Sequence, residues 1–433
     1  MRIILNQNYV CLSMLMSMLI LSSAIGVASA FCLAISLSSD NVLLIYLNLL
    51  SVYIFIFIGF FMLIAHRFNV TDLRSGTTIG IMAACAYFVL WMFLGLLFGQ
   101  NMRDAIGSTA RALIPFLVFF IIYFVLNRSD DRILFVRGAA WIIIATISVG
   151  ALGKLYLISQ GKYYGAGLNQ FSMGSFLFVL LAIFILFGKH SRYKLLLLLY
   201  FISLVTLSVL SFKRGVWLVI FLSTIYVSWI CWRIDKKKVV LPIILLLFLL
   251  LPLINFTEIG VALVRRAFST VSLENFTFDL STGYRIAEIS GALSKLNENI
   301  FSYIFGYGPG AVYEDVSKFG LSVTNDSTAV FHIHSGIFLV LYRYGIVGLF
   351  LYFIPLVFLL MNSRKVLNRM RHQRPTKFFD DRVLVMAFTC SALVMWPLGI
   401  VSNSFFGSAE YGLSLVSAYI LLRFSDALPG KSR

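Results

Sequence analysis

The stretch Thr77-Thr-Ile-Gly-Ile-Met-Ala-Ala-Cys-Ala-Tyr-Phe-Val-Leu-Trp-Met-Phe-Leu-Gly-Leu-Leu-Phe-Gly99 contains no charged side chain. A helix of about 20 apolar residues is long enough to cross the hydrocarbon core of a bilayer. The hydrophobicity is continuous along the stretch and does not alternate, which is typical of a membrane helix and not of a barrel strand. Because lipid cannot pair exposed backbone groups, we expect this stretch to be a transmembrane helix.

Similar runs recur along the whole chain, which is 60% hydrophobic and 12% charged. A soluble globular chain carries about 25% charged residues, so the composition indicates an integral membrane protein. We predict an all-α, polytopic fold of about twelve transmembrane helices in a single membrane domain that covers residues 1–433, and we interpret the first run as an uncleaved helix. The predicted spans are residues 10–36, 41–65, 77–99, 110–126, 135–159, 171–188, 194–212, 215–232, 239–255, 335–361, 384–402 and 407–423.

The formal net charge of +17 is unevenly distributed between the predicted loops. Most of the 35 Lys and Arg residues fall in alternate loops and in both termini, for example in residues 233–238 and 364–382. By the positive-inside rule, these loops and both termini lie in the cytoplasm. The basic charge therefore reports topology and contact with membrane lipids, and nucleic acid is not an expected partner.

One long interruption, residues 256–331, separates two predicted spans on the side opposite the basic loops. Within it Ile286, Ile289 and Leu293 recur at helical spacing, and so does an earlier group at residues 261–268. We therefore predict a large periplasmic loop with two amphipathic helices that lie on or near the outer membrane surface.

The five cysteines all fall in apolar spans without paired spacing, and no Cys/His cluster has the spacing of a metal site. We therefore predict no disulfide, no metal and no cofactor.

Arginines on the outer side of the membrane are candidates for binding an anion. Lys213 and Arg214 stand between two apolar runs. They are either a pair that snorkels at a helix end or a clamp for an anion. The second alternative is chemically reasonable because a planar guanidinium pairs with phosphate through two hydrogen bonds. Arg285 either pairs with Glu288 at the helix surface or binds the same anion. Weaker candidates, which anchoring to headgroups also explains, are Arg265 and Arg266.

Two further features lie where the long loop meets the next span. His332 and His334 stand at that boundary, and a neutral imidazole can accept a proton near pH 7, although a structural role is the alternative. The turn Gly306-Tyr-Gly-Pro-Gly310 is either a loop corner or a group of backbone N–H donors, with Gly308 and Gly310 among them, for an oxyanion.

Three motifs, taken in order, resemble the O-antigen ligase and O-antigen polymerase superfamily of polytopic bacterial membrane proteins. Leu210-Ser-Phe-Lys-Arg-Gly-Val-Trp217 resembles its Ser/Thr-x-Arg-Gly helix start, and Gly283-Tyr-Arg285 followed by the glycine turn resembles its loop arginine and Gly-x-Gly-Pro-Gly turn. The third motif is His334-Ser-x-x-Phe-x-x-Leu-x-Arg343-x-Gly345-x-x-Gly348. It departs from the family at Ser335, where Asn is usual, which bears on the orientation of His334. It also departs at Arg343, where Glu is usual, and the arginine there offers a further phosphate contact.

The resemblance implies a C-type glycosyltransferase that is inverting and independent of metal. Its donor would be an oligosaccharide on undecaprenyl diphosphate, presented at the periplasmic face of the inner membrane. His334 would be the general base, with His332 and Lys213 in support, and Arg214, Arg285, Arg265 and Arg266 would bind the diphosphate. Tyrosines that would stack on sugars, or else belong to the interfacial aromatic belt, are Tyr163, Tyr164, Tyr303 and Tyr307.

The resemblance leaves two reactions open. A polymerase, which the glycine turn favours, would transfer the growing chain to another lipid-linked repeat unit and work with a chain-length regulator protein. A ligase would transfer the finished glycan to lipid A–core, and the run His332-Ile-His-Ser335 favours this alternative. A lipid-linked oligosaccharide flippase is the alternative of another class, although it would be expected to carry charges along a central cavity.

Overall fold

The computed structural model describes residues 12–17, 19–20, 76–126, 129–159, 171–188, 193–209, 214–244, 280–314, 329–330, 333–401 and 407–425. In chain order the main helices are α1 (Gly76–Leu97), α2 (Met102–Val125), α3 (Ser129–Ser159), α4 (Phe171–Phe187), α5 (Lys194–Val209), α6 (Arg214–Ile234), α7 (Leu280–Leu296), α8 (Ile300–Phe305), α9 (Gly336–His372), α10 (Asp381–Val401) and α11 (Ala409–Phe424). A 3₁₀ turn, Lys236–Lys238, follows α6, and the two-residue strands β1 (Tyr313–Glu314) and β2 (Ala329–Val330) pair antiparallel.

The fold is that of an all-α polytopic membrane protein, as predicted. Within the described ranges six helices, α1, α2, α3, α6, α9 and α10, are long and apolar enough to cross a membrane, and α4 and α5 are shorter apolar helices. The predicted spans from 77–99 to 215–232 and from 335–361 to 407–423 each correspond to one helix, which confirms the break between 194–212 and 215–232. The spans 10–36, 41–65 and 239–255 lie wholly or largely outside the described residues.

Two helices extend beyond the apolar runs that predicted them, because polar residues at their ends remain helical. We predicted a start at residue 110 for the second described span, but α2 begins at Met102, because the Asn101 side chain caps it by accepting from the backbone N–H of Arg103 (2.9 Å). At the other side of the membrane α9 extends past residue 361 to His372, since its basic final turns remain helical beyond the apolar run.

Helix α10 lies at the centre of the bundle, where it packs on α4, α9 and α11. It is the most deeply buried of the six membrane helices, whereas α1 is the most exposed. Aromatic contacts fill the centre, such as Phe176 of α4 against Phe388 of α10, with ring centroids 4.4 Å apart.

The end of the bundle that carries the basic loops is held by specific contacts. Arg137 of α3 binds Asp381 through three hydrogen bonds of 2.9–3.1 Å. Beside this ion pair the Trp141 ring packs on Phe379 (4.6 Å between centroids). Because α9 runs from Gly336 to His372, this end lies opposite the one at which α9 begins.

The loop between α6 and α9 contains one of the two predicted amphipathic helices. Helix α7 includes the predicted run of Ile286, Ile289 and Leu293, and it packs Ala292 and Leu296 into the core. The helix predicted around residues 261–268 lies outside the described residues. Helix α8 was not predicted.

Helix α9 is broken at Gly345, which has φ of 66° and ψ of −171°. Only glycine suits this position, because a Cβ there would lie 2.2 Å from the carbonyl oxygen of Ile304 at the end of α8. The break frees backbone carbonyls before it, and side chains of α1 bind two of them: Trp91 Nε1 donates to Arg343 O (3.1 Å) and the Tyr87 hydroxyl to Tyr344 O (2.7 Å).

Candidate active site

The start of α9 meets α7 at a histidine–carboxylate pair. His334 comes two residues before α9, and its Nδ1 lies 2.7 Å from Oε1 of Glu288 on α7. The backbone N–H of His334 also donates to the other carboxylate oxygen, Oε2, at 2.9 Å. Glu288 therefore holds both the main chain and the ring of His334, and it fixes the direction in which the imidazole points.

The two members of this pair differ in their exposure. The His334 side chain is 57% exposed, whereas that of Glu288 is only 16% exposed. With Nδ1–H donating to the carboxylate, the neutral imidazole carries its lone pair on Nε2. A histidine paired with a carboxylate in this way can accept a proton from a hydroxyl group.

Arg285 precedes Glu288 by three residues on α7, so the two side chains project from the same side of the helix. Its side chain is partly exposed. The carboxylate of Glu288, which sequence analysis offered as a surface partner of Arg285, pairs with His334. A guanidinium thus lies one helical turn from the carboxylate that supports the histidine.

The glycine turn joins α8 to the break in α9. Gly306 and Gly308 have φ of 78° and 101°, and a Cβ at Gly306 would lie 2.4 Å from the backbone of Arg343. The backbone N–H groups of Tyr307 and Gly308 donate to the carbonyls of Tyr342 (2.8 Å) and Arg343 (3.0 Å). The turn therefore satisfies carbonyls that the break leaves free, and it fixes the α7–α8 segment to α9.

Gln100, which follows α1, holds the same turn from the other side. Its Oε1 accepts from the N–H of Gly310 (2.9 Å), and its Nε2 donates to the carbonyl of Tyr307 (2.5 Å). The N–H groups of Gly308 and Gly310 therefore both donate within the protein. The oxyanion interpretation of these two glycines is corrected accordingly, and the turn is a loop corner that supports the site.

Tyr307 is a packing residue between α7 and α9. Its hydroxyl donates to the carbonyl of Lys295 (2.7 Å), and its ring lies 5.5 Å from that of Tyr342. Tyr303 is partly buried against the core. The other tyrosines proposed for sugar stacking, Tyr163 and Tyr164, lie outside the described residues.

The two departures from the family motif have structural explanations. Ser335 is buried, and its hydroxyl donates to the carbonyl of Gly399 in α10 (2.9 Å), so the orientation of His334 comes from Glu288. Arg343 is 1% exposed and donates to Ser108 Oγ of α2 (2.6 Å). A guanidinium buried between two helices does not reach a substrate, which corrects the expectation of a phosphate contact.

The remaining sequence candidates are only partly placed. Arg214 is the first residue of α6, which confirms the helix start that the motif predicts. Candidates outside the described residues are Lys213, Arg265, Arg266 and His332. Within the part of the chain that is described, no group of three or more His, Cys, Asp or Glu side chains is arranged to hold a metal ion.

Glu288 is the residue that sequence analysis did not name as part of the site. Its signal was its place on an amphipathic helix, three residues after the arginine of a family motif. Helical spacing offered only the local partner Arg285 as an alternative, because the approach of α7 to the start of α9 depends on the tertiary fold.

Residues 198–353 match the family model described as O-antigen ligase. This stretch begins in α5 and ends in α9, so it includes the His334–Glu288 pair, Arg285 and the glycine turn. The chain matches no curated protein. Over residues 198–353, the match supports the resemblance to the O-antigen ligase and O-antigen polymerase superfamily that the three motifs indicated.

Proposed function

We propose that this protein transfers a glycan from undecaprenyl diphosphate to a sugar hydroxyl at the periplasmic face of the inner membrane, and that it polymerises repeat units of O-antigen or a related surface polysaccharide. The observation that carries the proposal is the His334–Glu288 pair within the region that matches O-antigen ligase. The match itself indicates ligase- or polymerase-type activity.

In the proposed reaction, Nε2 of His334 accepts the proton of the acceptor sugar's hydroxyl group. The oxygen attacks the anomeric carbon of the donor sugar while the bond from that carbon to the diphosphate oxygen breaks, and the electron pair leaves with the diphosphate. Attack opposite the leaving group inverts the anomeric centre. Glu288 stabilises the imidazolium that forms, as a carboxylate behind a catalytic histidine does.

The departing diphosphate gains negative charge, and fixed cations stabilise it. We assign this task to Arg285, which lies one turn from Glu288 on α7. Arg214 at the start of α6, with Arg265 and Arg266, completes the proposed set, because planar guanidinium groups pair with phosphate oxygens through two hydrogen bonds at once.

No step of this reaction uses a metal ion. We therefore expect glycan transfer by the purified protein to proceed at an unchanged rate after dialysis against EDTA. Strict dependence of the rate on an added divalent cation would contradict the mechanism.

An O-antigen ligase is the second candidate, and the description of the matching family favours it. The acceptor would then be lipid A–core, whereas a polymerase would use a lipid-linked repeat unit. A flippase is disfavoured because His334, Glu288 and Arg285 gather at one end of the bundle, where α7 meets the start of α9.

The glycan profile of a deletion strain separates the two reactions. Loss of a polymerase leaves lipid A–core that carries a single repeat unit. Loss of a ligase leaves bare core while lipid-linked polymer accumulates. An unchanged profile, with the intact gene absent, would contradict both proposals.

A further inference from the structure

The chain between α7 and the β1 strand lies deeper than a surface loop. The Phe305 ring at the end of α8 packs on Trp91 of α1, with centroids 5.7 Å apart, and the Tyr87 hydroxyl lies 3.2 Å from the Phe305 carbonyl. Trp91 stands about 9 Å along the helix axis before Leu97, the last residue of α1. The end of α8 is therefore level with the interior of a membrane helix.

The contact with α9 gives the same depth independently. Gly306 lies against the backbone of Arg343 and Tyr344, and Gly345 lies against that of Ile304. Arg343 stands about 10 Å along α9 from its first residue. The positions of these contacts along α1 and along α9 thus both place the end of α8 well below the level at which the two membrane helices end and begin.

Helix α8 exposes its large apolar side chains and buries its serine. Ile300 and Phe301 are 71% and 65% exposed, and Ile304 and Phe305 also face outward, whereas Ser302 is 7% exposed. A helix in water buries its large apolar side chains and exposes serine. The reverse arrangement is expected where the surroundings are hydrocarbon.

This apolar face adjoins a surface that faces lipid. The outer end of α1 exposes Phe93, Leu97 and Phe98, and α1 is one of the membrane helices. The contact of Trp91 with Phe305 makes the two surfaces neighbours. An acyl-chain environment along α1 therefore extends over α8.

The backbone that follows α8 suits this depth. Irregular backbone is tolerated in a membrane only where its polar groups are paired within the protein. The N–H groups of Gly306, Tyr307, Gly308 and Gly310 donate to Ser302 O, Tyr342 O, Arg343 O and Gln100 Oε1. Before α8, by contrast, the exposed ion pair of Lys295 with Glu298 (2.8 Å) marks the water side.

We propose that residues 300–310, which we term the re-entrant segment, dip into the membrane leaflet on the His334 side and return, and that the exposed face of α8 contacts lipid acyl chains. This assignment revises the extent of the loop predicted at residues 256–331, part of which then lies within the membrane. It rests on the fold alone and does not require the proposed reaction. The segment holds the His334–Glu288 pair close to the membrane interface.

The test uses the full-length protein in a cysteine-free background, reconstituted in phospholipid vesicles. A nitroxide is attached to single cysteines introduced as Phe301→Cys and Ile300→Cys, and to Glu298→Cys as the matched control from the charged corner. Power-saturation spectroscopy then compares collisions with oxygen, which concentrates in hydrocarbon, and with a water-soluble nickel chelate. We expect an oxygen-to-nickel collision ratio several-fold higher at residues 300 and 301 than at residue 298.

Two results would overturn the proposal. Nickel collisions at residues 300 and 301 as frequent as at residue 298 would place α8 in water. Few collisions with either reagent would mean that protein, such as a second copy of the chain, covers the face. The use of two labelled positions keeps the test decisive if one variant does not fold, and glycan transfer is not part of the measurement.

Discussion

At the scale of single residues, the chemistry of His334 depends on which ring nitrogen pairs with Glu288. Glu288 pairs with Nδ1 of the ring at 2.7 Å and accepts from the backbone N–H of the same residue at 2.9 Å. Turning the ring would break the first of these contacts, while the second keeps the carboxylate beside His334. Nε2 is then the nitrogen that acts as the base in the proposed reaction. Without the carboxylate, the ring would be free to present either nitrogen, and the imidazolium would lose its counter-charge.

We expect Glu288→Ala to lower kcat for glycan transfer by about 10²-fold, because it removes both the orientation and the charge stabilisation of the proposed base. KM is expected to stay nearly constant, since Glu288 is proposed to contact His334 and not the substrate. Steady-state kinetics of the purified variant check this. Glu298→Ala is the matched control, because Glu298 pairs with Lys295 at the surface and should leave kcat unchanged.

A rise in KM with kcat unchanged would assign Glu288 to substrate binding instead. Equal activity of wild type and Glu288→Ala would remove Glu288 from the mechanism altogether.

At the scale of elements, the break in α9 and the glycine turn form one joint. Gly345 and Gly306 bring the backbones of α9 and the end of α8 too close together for a Cβ on either glycine. The joint fixes the segment that carries α7, and α7 in turn carries Glu288. Geometry at the histidine therefore depends on glycines that do not touch it.

Gly345→Ala is expected to destabilise the protein by about 1–3 kcal/mol, the usual cost of a strained backbone conformation. The clash of the new Cβ with the carbonyl oxygen of Ile304 adds to this cost. Thermal unfolding in detergent measures the change. The control is Gly107→Ala in α2, where a Cβ meets no atom within 4 Å. There the replacement should be neutral or stabilising by up to about 1 kcal/mol. A Gly345→Ala variant as stable as this control would contradict the joint.

Sequence analysis predicted the membrane helices well, because continuous apolar runs such as 77–99 and 384–402 suffice to define a span. It did not predict the break at Gly345, which lies inside the predicted span 335–361 and arises from contacts with α8. It also missed α8 itself, whose six residues are too few for a periodicity. The His334–Glu288 pair was not predicted either, because its two residues are far apart in sequence and meet only through tertiary packing.

At the scale of the whole molecule, the bundle has two chemically different ends. The Arg137–Asp381 ion pair and the basic final turns of α9 lie at one end, and the His334–Glu288 pair lies where α9 begins. We propose that the basic end is cytoplasmic, by the positive-inside rule. The His334 end would then face the periplasm, the side at which the proposed donor would be presented.

This orientation predicts which introduced cysteines a membrane-impermeant thiol reagent labels in intact cells, in a cysteine-free background. Glu298→Cys is expected to react from the periplasmic side, whereas Arg371→Cys, exposed near the end of α9, should react only after the inner membrane is permeabilised. Labelling in the opposite order would reverse the proposed topology and remove the site from the periplasm.

The most direct test of the proposed glycan transfer is the rate of transfer by purified protein in vesicles that contain a lipid-diphosphate-linked glycan and its acceptor. The wild type is compared with His334→Ala and with His372→Ala, a control at the opposite, exposed end of α9. We predict that His334→Ala lowers the rate by about 10²–10⁴-fold, the range for loss of a general base, while His372→Ala retains the wild-type rate. Full activity of correctly folded His334→Ala would contradict the proposed mechanism.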